Sequence, residues 1–183
     1  VTDEAQVTAW ALAAGQGDHE AATQFVRATQ TSVWRYLAAI ASPGEADDLA
    51  QETYLRAVRS LPSFAGRSSA RTWLLTIAQR VAVDRVRTAT SRPRTVPLPE
   101  WHEVTDRHHS GFDQRIALEH LIAALPADRR EAFVATQLLG MSYAETAELC
   151  GCPVGTVRSR VARAREDLVA AMRAHTGRGD AVG

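Results

Sequence analysis

Residues 140–166 read GMSYAETAELCGCPVGTVRSRVARARE, and this stretch decides the fold. Gly140 suits the left-handed close of a preceding helix, because glycine has no Cβ to clash there. Ser142, with Glu145 three residues later, has the form of a capping box and starts a short helix. Ala144 and Ala147 are small, so a second helix can cross close by. Gly151 suits the turn, and Pro153 suits the entrance of that second helix. From there Val154, Val157, Val161, Ala164 and Leu168 recur at helical spacing as a buried stripe. Arg158, Arg160, Arg163 and Arg165 stud the same helix; Thr156, Ser159, Arg160 and Arg163 fall off the stripe. The pattern is that of a helix-turn-helix whose second helix enters a DNA groove. Free amides at Gly155 and Thr156 would attract a phosphate, since helix N-termini favour anions.

The 183 residues allow one or two domains. Formal net charge is zero, so nucleic-acid binding has no support from overall charge. The charge is segregated instead. Glu45, Asp47, Asp48 and Glu52 form an acidic cluster, while 67–94 and 158–165 are arginine-rich. Such a chain can hold a protein with one face and a polyanion with others. All 21 Lys and Arg positions are arginine. Arginine forks suit phosphate and guanine, yet lysine is missing everywhere, which fits codon usage in a GC-rich genome better.

No apolar run has the length of a membrane span, and residues 1–17 lack the basic start and apolar core of a signal peptide. A cytoplasmic protein without membrane insertion is expected. Cys150 and Cys152 are the only cysteines, and no histidine lies near them in sequence. Zinc needs four ligands, so small residues filling a turn is the better reading. Neither cofactor nor metal is expected.

The periodicity predicts an all-α chain. A first amphipathic helix runs from about Asp18 to Ala41, with Phe25, Val33, Tyr36, Leu37 and Ile40 on its apolar face and Trp34 nearby. Pro43 and Gly44 end it. A second runs from about Ala46 to Ser60, with Leu49, Thr53, Leu55 and Val58 as partial core positions. Its acids sit at the N-terminus, where the helix macrodipole favours them. A loop over Leu61 to Ser69 leads to a long helix from about Ala70 to Arg87. Then Pro93, Pro97 and Pro99 mark a linker. The expected division is a first domain at 1–90, a linker at 91–111, a second helical domain at 112–175 and a disordered tail at 176–183.

Four motifs occur in order: DDLAQETYLRA from Asp47, FAGRSSARTWLLTIAQRVAVDRVR from Phe64, LPADRREAF from Leu125, and the helix-turn-helix. Together they resemble the bacterial RNA polymerase sigma factors of the extracytoplasmic-function (ECF) class. SSARTWLL and CGCPVGTVRSRVARAR are most similar to an actinobacterial branch. The class has sigma regions two and four joined by a linker. The resemblance therefore implies a region 2 domain followed by a region 4 domain, and a protein that directs core polymerase to promoters without catalytic chemistry of its own.

The resemblance also implies roles for particular residues. Asp47, Asp48, Gln51 and Glu52 match the segment that binds the clamp helices of the polymerase largest subunit. Phe64, Arg67, Ser68, Ser69 and Arg71 match the loop that captures an extruded minus-ten base. Trp73, Arg80, Asp84, Arg85 and Arg87 match the helix along the non-template strand. Reading a single strand needs charge along a groove and surfaces for unstacked bases, which this set supplies. Trp73 also reads as a core residue, with Leu74, Leu75 and Ile77 beside it. Many members of the class carry asparagine where this chain has Arg80, so the resemblance carries over the general role of this helix and not the detailed strand-separation contact. Val154, Gly155, Thr156, Arg158, Ser159, Arg160 and Arg163 match the minus-thirty-five reader. The flap of the second-largest subunit, promoter DNA and an anti-sigma factor are the remaining implied partners.

Two other readings compete. A polymerase-independent helix-turn-helix regulator would explain 140–166 but leave 47–87 unexplained. An enzyme built on the acids with His102, His108 and His109 lacks both metal-ligand spacing and a phosphate loop.

Overall fold

The computed structural model describes residues 3–91 and 118–179, with side chains to 88 and to 173 respectively. Helix α1 spans Glu4–Gly15, α2 His19–Ile40, α3 Ala46–Ser60 and α4 Ala70–Ser91, with a single 3-10 turn at Leu61–Ser63. A helical segment at 118–123 (α5) precedes α6, Ala127–Phe133, which continues into a π turn at Val134–Leu138. Helices α7, Tyr143–Cys150, and α8, Val154–Gly179, follow. Among the described residues there is no strand, as the periodicity predicts.

In the first unit α2 supplies Phe25, Val33, Tyr36 and Leu37, all fully buried, against Leu74 and Leu75 of α4. Thr29 and Tyr54 share a hydrogen bond of 2.8 Å across α2 and α3. Helix α1, which the periodicity does not announce, closes this core with Val7 and Ala11. It approaches closely because Gly15 has no side chain: a Cβ there would lie 2.5 Å from the Leu61 carbonyl oxygen. Leu55 and Val58, expected as partial core, are 49% and 57% exposed. The buried face of α3 is made by Ala46, Leu49, Thr53 and Ala57 instead.

The expected start of the second unit at Phe112 lies outside the described residues, as do the linker prolines and His102, His108 and His109. Ser142 caps α7 with the full capping box: its hydroxyl accepts from the Glu145 amide, and the Glu145 carboxylate accepts from the Ser142 amide at 2.9 Å. Gly151 ends α7 at φ 60°, the left-handed conformation the turn requires. Val157, Val161, Ala164 and Leu168 are buried as the stripe predicts, but Val154 is 37% exposed at the helix mouth. Helix α8 runs on to Gly179, past the end expected at His175.

The two units pack on each other. Helix α7 lies against α4, and α6 against α2. Leu149, Ala164 and Leu168 of the second unit belong to the same contiguous core as Leu74 and Leu75 of the first. The polar seam is specific. Tyr36 donates to Glu131 at 2.7 Å, Gln79 donates to the same carboxylate oxygen at 2.7 Å, and Arg130 donates to the Ile40 carbonyl at 3.3 Å.

Candidate nucleic-acid interface

The loop before α4 is organised by its own serine. Ser69 Oγ accepts from the Thr72 amide at 3.1 Å, which caps α4. Thr8 of α1 accepts from the Ala70 amide at 3.1 Å and pins the same turn. Phe64 and Trp73 face each other with ring centroids 4.8 Å apart, and both are half-buried. Trp73 thus packs against the core while keeping an outer edge, and Phe64 leans on it. Arg67 is exposed at the loop tip, and Ser68 is half-buried. Arg71 is drawn inward to Glu4 at 3.3 Å, a partner that the unannounced α1 supplies.

Farther along α4, Arg80, Asp84, Arg85 and Arg87 are exposed. Asp84 and Arg85 reach partners on other helices. Arg85 pairs with Glu45 at 3.1 Å, and Asp84 accepts from Arg56 at 2.7 Å. Arg56 also holds Glu52 at 2.7 Å. These pairs are exposed and worth little in stability, about 0–1 kcal/mol each. They set where the guanidinium groups rest.

On α3, Asp48 and Gln51 are exposed and Glu52 half-buried. Asp47 accepts from the Trp34 indole at 2.9 Å, so an exposed aromatic ring borders the acidic helix. Sequence periodicity placed Trp34 near the core; the structure leaves it 41% exposed.

On α8, Val154, Gly155, Arg158, Ser159 and Arg163 face outward. Thr156 is half-buried and its amide donates to the Pro153 carbonyl at 2.8 Å, so it is not the free phosphate donor the sequence suggests. Ser159 returns its hydroxyl to the Thr156 carbonyl at 2.9 Å. Arg160 departs from the rest of the arginine face. It pairs with Asp128 of α6 at 3.2 Å and reaches Cys152 at 3.5 Å. Arg165 donates to Gln137 at 2.8 Å. The open basic groups of the reader are therefore Arg158 and Arg163.

Cys150 and Cys152 are both partly buried and free. Burial first, and the nearby Glu131 charge second, push the Cys150 thiol up to about 12, which makes it a poor nucleophile. Among the described residues no cluster of histidine, cysteine and acid has the makings of a metal site. No helix among them is long and apolar enough to cross a membrane.

Known proteins share this arrangement. The sigma-70 region 2 family matches residues 25–92, and the sigma-70 region 4 family matches residues 115–168. The ECF RNA polymerase sigma factor SigC of Mycobacterium tuberculosis is 52% identical over 171 residues, covering 92% of each chain. The ECF RNA polymerase sigma-E factor of Haemophilus influenzae is 34% identical, covering 82% of this chain and 87% of its own. Among solved structures, the sigma factor RpoE of Bartonella quintana, in complex with the anti-sigma factor NepR, superposes with a TM-score of 0.66 at 25% identity. That likeness covers 82% of this chain and 96% of RpoE.

Proposed function

The chain belongs to the ECF class of sigma-70 RNA polymerase sigma factors, and from that premise we propose how its surfaces divide the work of promoter recognition. As a sigma factor it binds core RNA polymerase and directs initiation at particular promoters. It carries no reaction of its own, and it works in the cytoplasm, where the polymerase is. The two family matches support a region 2 domain at 1–90 and a region 4 domain at 112–175.

Helix α3 is the polymerase-binding element. Asp48 and Gln51 are presented directly, and Asp47 and Glu52 are held by Trp34 and Arg56. An acidic, outward helix suits the basic clamp helices of the largest subunit. The half-exposed Leu55 and Val58 suit an interface, where apolar groups are covered only in the complex. The second-largest subunit's flap falls to region 4, and an anti-sigma factor is a further partner.

Phe64, Arg67, Ser68, Ser69, Arg71 and Trp73 receive the minus-ten base, and Arg80, Arg85 and Arg87 follow the strand, with Asp84 holding Arg56 beside them. Single-strand binding by such a surface combines phosphate neutralisation with ring and pocket contacts. Val154, Gly155, Thr156, Arg158, Ser159 and Arg163 read the minus-thirty-five duplex, and Arg160 braces the reader through Asp128. Each domain holds DNA weakly alone; the covalent tether makes the second contact effectively intramolecular.

The observation that carries this reading is the outward arginine face of α8 behind a fully formed capping box and turn. Transcription in vitro with purified core polymerase and a promoter-fragment library tests it. Initiation should depend on the factor and select a two-element promoter class. Sequence-specific duplex binding by the free protein, with no stimulation of core, would favour a polymerase-independent regulator.

A further inference from the structure

Helix α1 supplies no residue to the surfaces assigned above, yet it runs along the whole base-capturing loop. Glu4, Thr8, Leu12 and Gly15 follow at helical spacing and share one face of α1. They meet the loop in reverse order. Glu4 pairs with Arg71 at 3.3 Å, and Arg71 Nε and Glu4 Oε1 are closed off from solvent. Thr8 accepts from the Ala70 amide at 3.1 Å. The Leu12 methyl groups stand over Gly66, where a Cβ would meet each of them at 3.6 Å. Gly15 lies against the Leu61 carbonyl, at the start of the loop.

These contacts do different work from the apolar anchor of the same helix. Val7 and Ala11 are fully buried and hold α1 on the core. Leu12 is 38% exposed and Thr8 is half-buried, so neither adds much to that anchor. Both instead fix the loop. The first turn of α4 has amides with no partner inside the helix. Ser69 meets two of them, through Oγ to Thr72 at 3.1 Å and through its carbonyl to Trp73 at 3.0 Å. The Ala70 amide belongs to a fully buried residue, and its partner comes from α1. The Thr8 hydroxyl gives its one proton to the Glu4 carbonyl at 3.0 Å, so it faces Ala70 as an acceptor. Gly66 turns the loop at φ 64°, and Leu12 fills the space under that turn.

Resting on the sigma-factor reading, we infer that α1 is the template of the base-capturing loop, with Thr8 and Leu12 as positioning residues that set how sharply the minus-ten sequence is discriminated. Neither touches DNA. Thr8 acts through Ala70, and so on Ser69 and Arg71 beside it. Leu12 acts through Gly66, and so on Arg67 and Ser68. A pocket selects a base only while its walls hold their spacing to within about 0.5 Å. Arg80, the first of the strand-following arginines, lies about 15 Å beyond Ala70 along α4, at 1.5 Å per residue. Loosening the template therefore lowers selectivity and leaves the charge-driven affinity in place.

The test uses the full-length factor assembled on core polymerase. Thr8→Val keeps the side-chain shape and removes the acceptor, Thr8→Ser keeps the acceptor, and Leu12→Ala removes the methyl groups over Gly66. Fluorescence anisotropy reads the binding of a single-stranded non-template oligonucleotide with the minus-ten sequence that the promoter library selects, and of its scrambled version. The ratio of the two affinities should fall about threefold or more in Thr8→Val and in Leu12→Ala, and return in Thr8→Ser. Affinity for the scrambled strand and its salt dependence should stay at wild-type values, because the phosphate contacts are untouched. An unchanged ratio in both variants, or an equal loss on both strands, would overturn the inference. Val7→Ala is the control for stability: it opens a cavity in the anchor, lowers the thermal midpoint and should keep the ratio. A ratio lost as fully in Val7→Ala would also overturn it, since the effect would then belong to the anchor. Failure of the sigma reading shows up separately, as no initiation and no strand preference by the unmodified protein.

Discussion

Tyr36 and Glu131 lie 95 positions apart in sequence and meet through a hydrogen bond of 2.7 Å. The same Glu131 oxygen accepts from Gln79 at 2.7 Å, so one atom ties α6 to both α2 and α4. Tyr36 is fully buried, which makes its hydroxyl dependent on this partner. Removing the carboxylate strands two donors at once. Glu131→Ala should therefore cost about 1–3 kcal/mol, the penalty for unsatisfied buried groups. Tyr36→Phe leaves Glu131 its bond to Gln79 and should cost about 1 kcal/mol. Urea unfolding of both variants checks the order; equal, negligible losses would show that the seam is not formed in solution.

The same pair gives an alkaline signature. Burial first, and then the charge and hydrogen bond of Glu131, hold the Tyr36 phenol well above its ordinary value of 10.0. The unfolded chain releases this proton near pH 10, whereas the folded chain keeps it. The folded state then binds more protons, so stability is intact below pH 10 and falls as pH rises toward the folded value. Tyr54 adds to the effect in the same direction, since burial raises it to about 12. Unfolding midpoints at pH 9 and pH 11 should differ in wild type and differ less in Tyr36→Phe. A Tyr36→Phe slope as steep as the wild type's would assign the effect elsewhere.

What the chain announces locally and what it does not divide along physical lines. The capping box, the turn and most of the α8 stripe follow from short-range rules, and Ser142, Glu145, Gly151, Val157 and Val161 obey them. Helix α1 was silent because Trp10, Ala11, Leu12, Ala13 and Ala14 spread apolar character around the whole helix. No periodic stripe survives, although Val7 and Ala11 are the buried pair. Leu55 and Val58 misled for the opposite reason. Apolar residues at helical spacing read as core, whereas here they face outward on a proposed interface. The seam was illegible because Tyr36, Gln79 and Glu131 belong to three separate helices. No window of sequence contains it. The role of Arg160 was hidden likewise, since its spacing marks it as a reader while Asp128 claims it.

Gly15 offers a test of α1 as part of the first unit. A methyl group there would sit 2.5 Å from the Leu61 carbonyl oxygen and 3.1 Å from its carbon. Both are backbone atoms with little freedom to retreat. Gly15→Ala raises helix propensity by about 1 kcal/mol, yet overpacking of this kind costs about 1–3 kcal/mol. The net should be destabilising, seen as a lower thermal midpoint. A rise would mean that α1 does not rest on the 3-10 turn.

Polymerase binding should be sensitive to charge on α3 and insensitive to fold stability. Asp48 is exposed at the first turn, where a carboxylate also favours the helix dipole. Asp48→Arg should weaken binding to core by about 1–2 kcal/mol or more, while the loss of dipole complementarity costs folding only a few tenths. Glu52→Arg should do both jobs less cleanly, because it also releases Arg56. Full core binding by folded versions of both would move the polymerase surface away from α3.

The arginines of α8 should separate into readers and a brace. Arg158 and Arg163 project outward, and a bidentate contact to a guanine edge is worth about 1–3 kcal/mol of discrimination. Arg158→Ala and Arg163→Ala should therefore depress transcription selectively at promoters that need the upstream element, with core binding and stability preserved. A phosphate contact would instead weaken all promoters alike and lower the salt dependence. Arg160 is committed to Asp128 at 3.2 Å, with its side chain only 26% exposed. Arg160→Ala should lower the thermal midpoint of the second unit and reduce all upstream-dependent promoters in the same proportion. Asp128→Asn should reproduce that pattern, because it removes the same pair from the other side. If Arg160→Ala changed which upstream sequence is preferred while Asp128→Asn did not, Arg160 would leave Asp128 on binding and read bases itself.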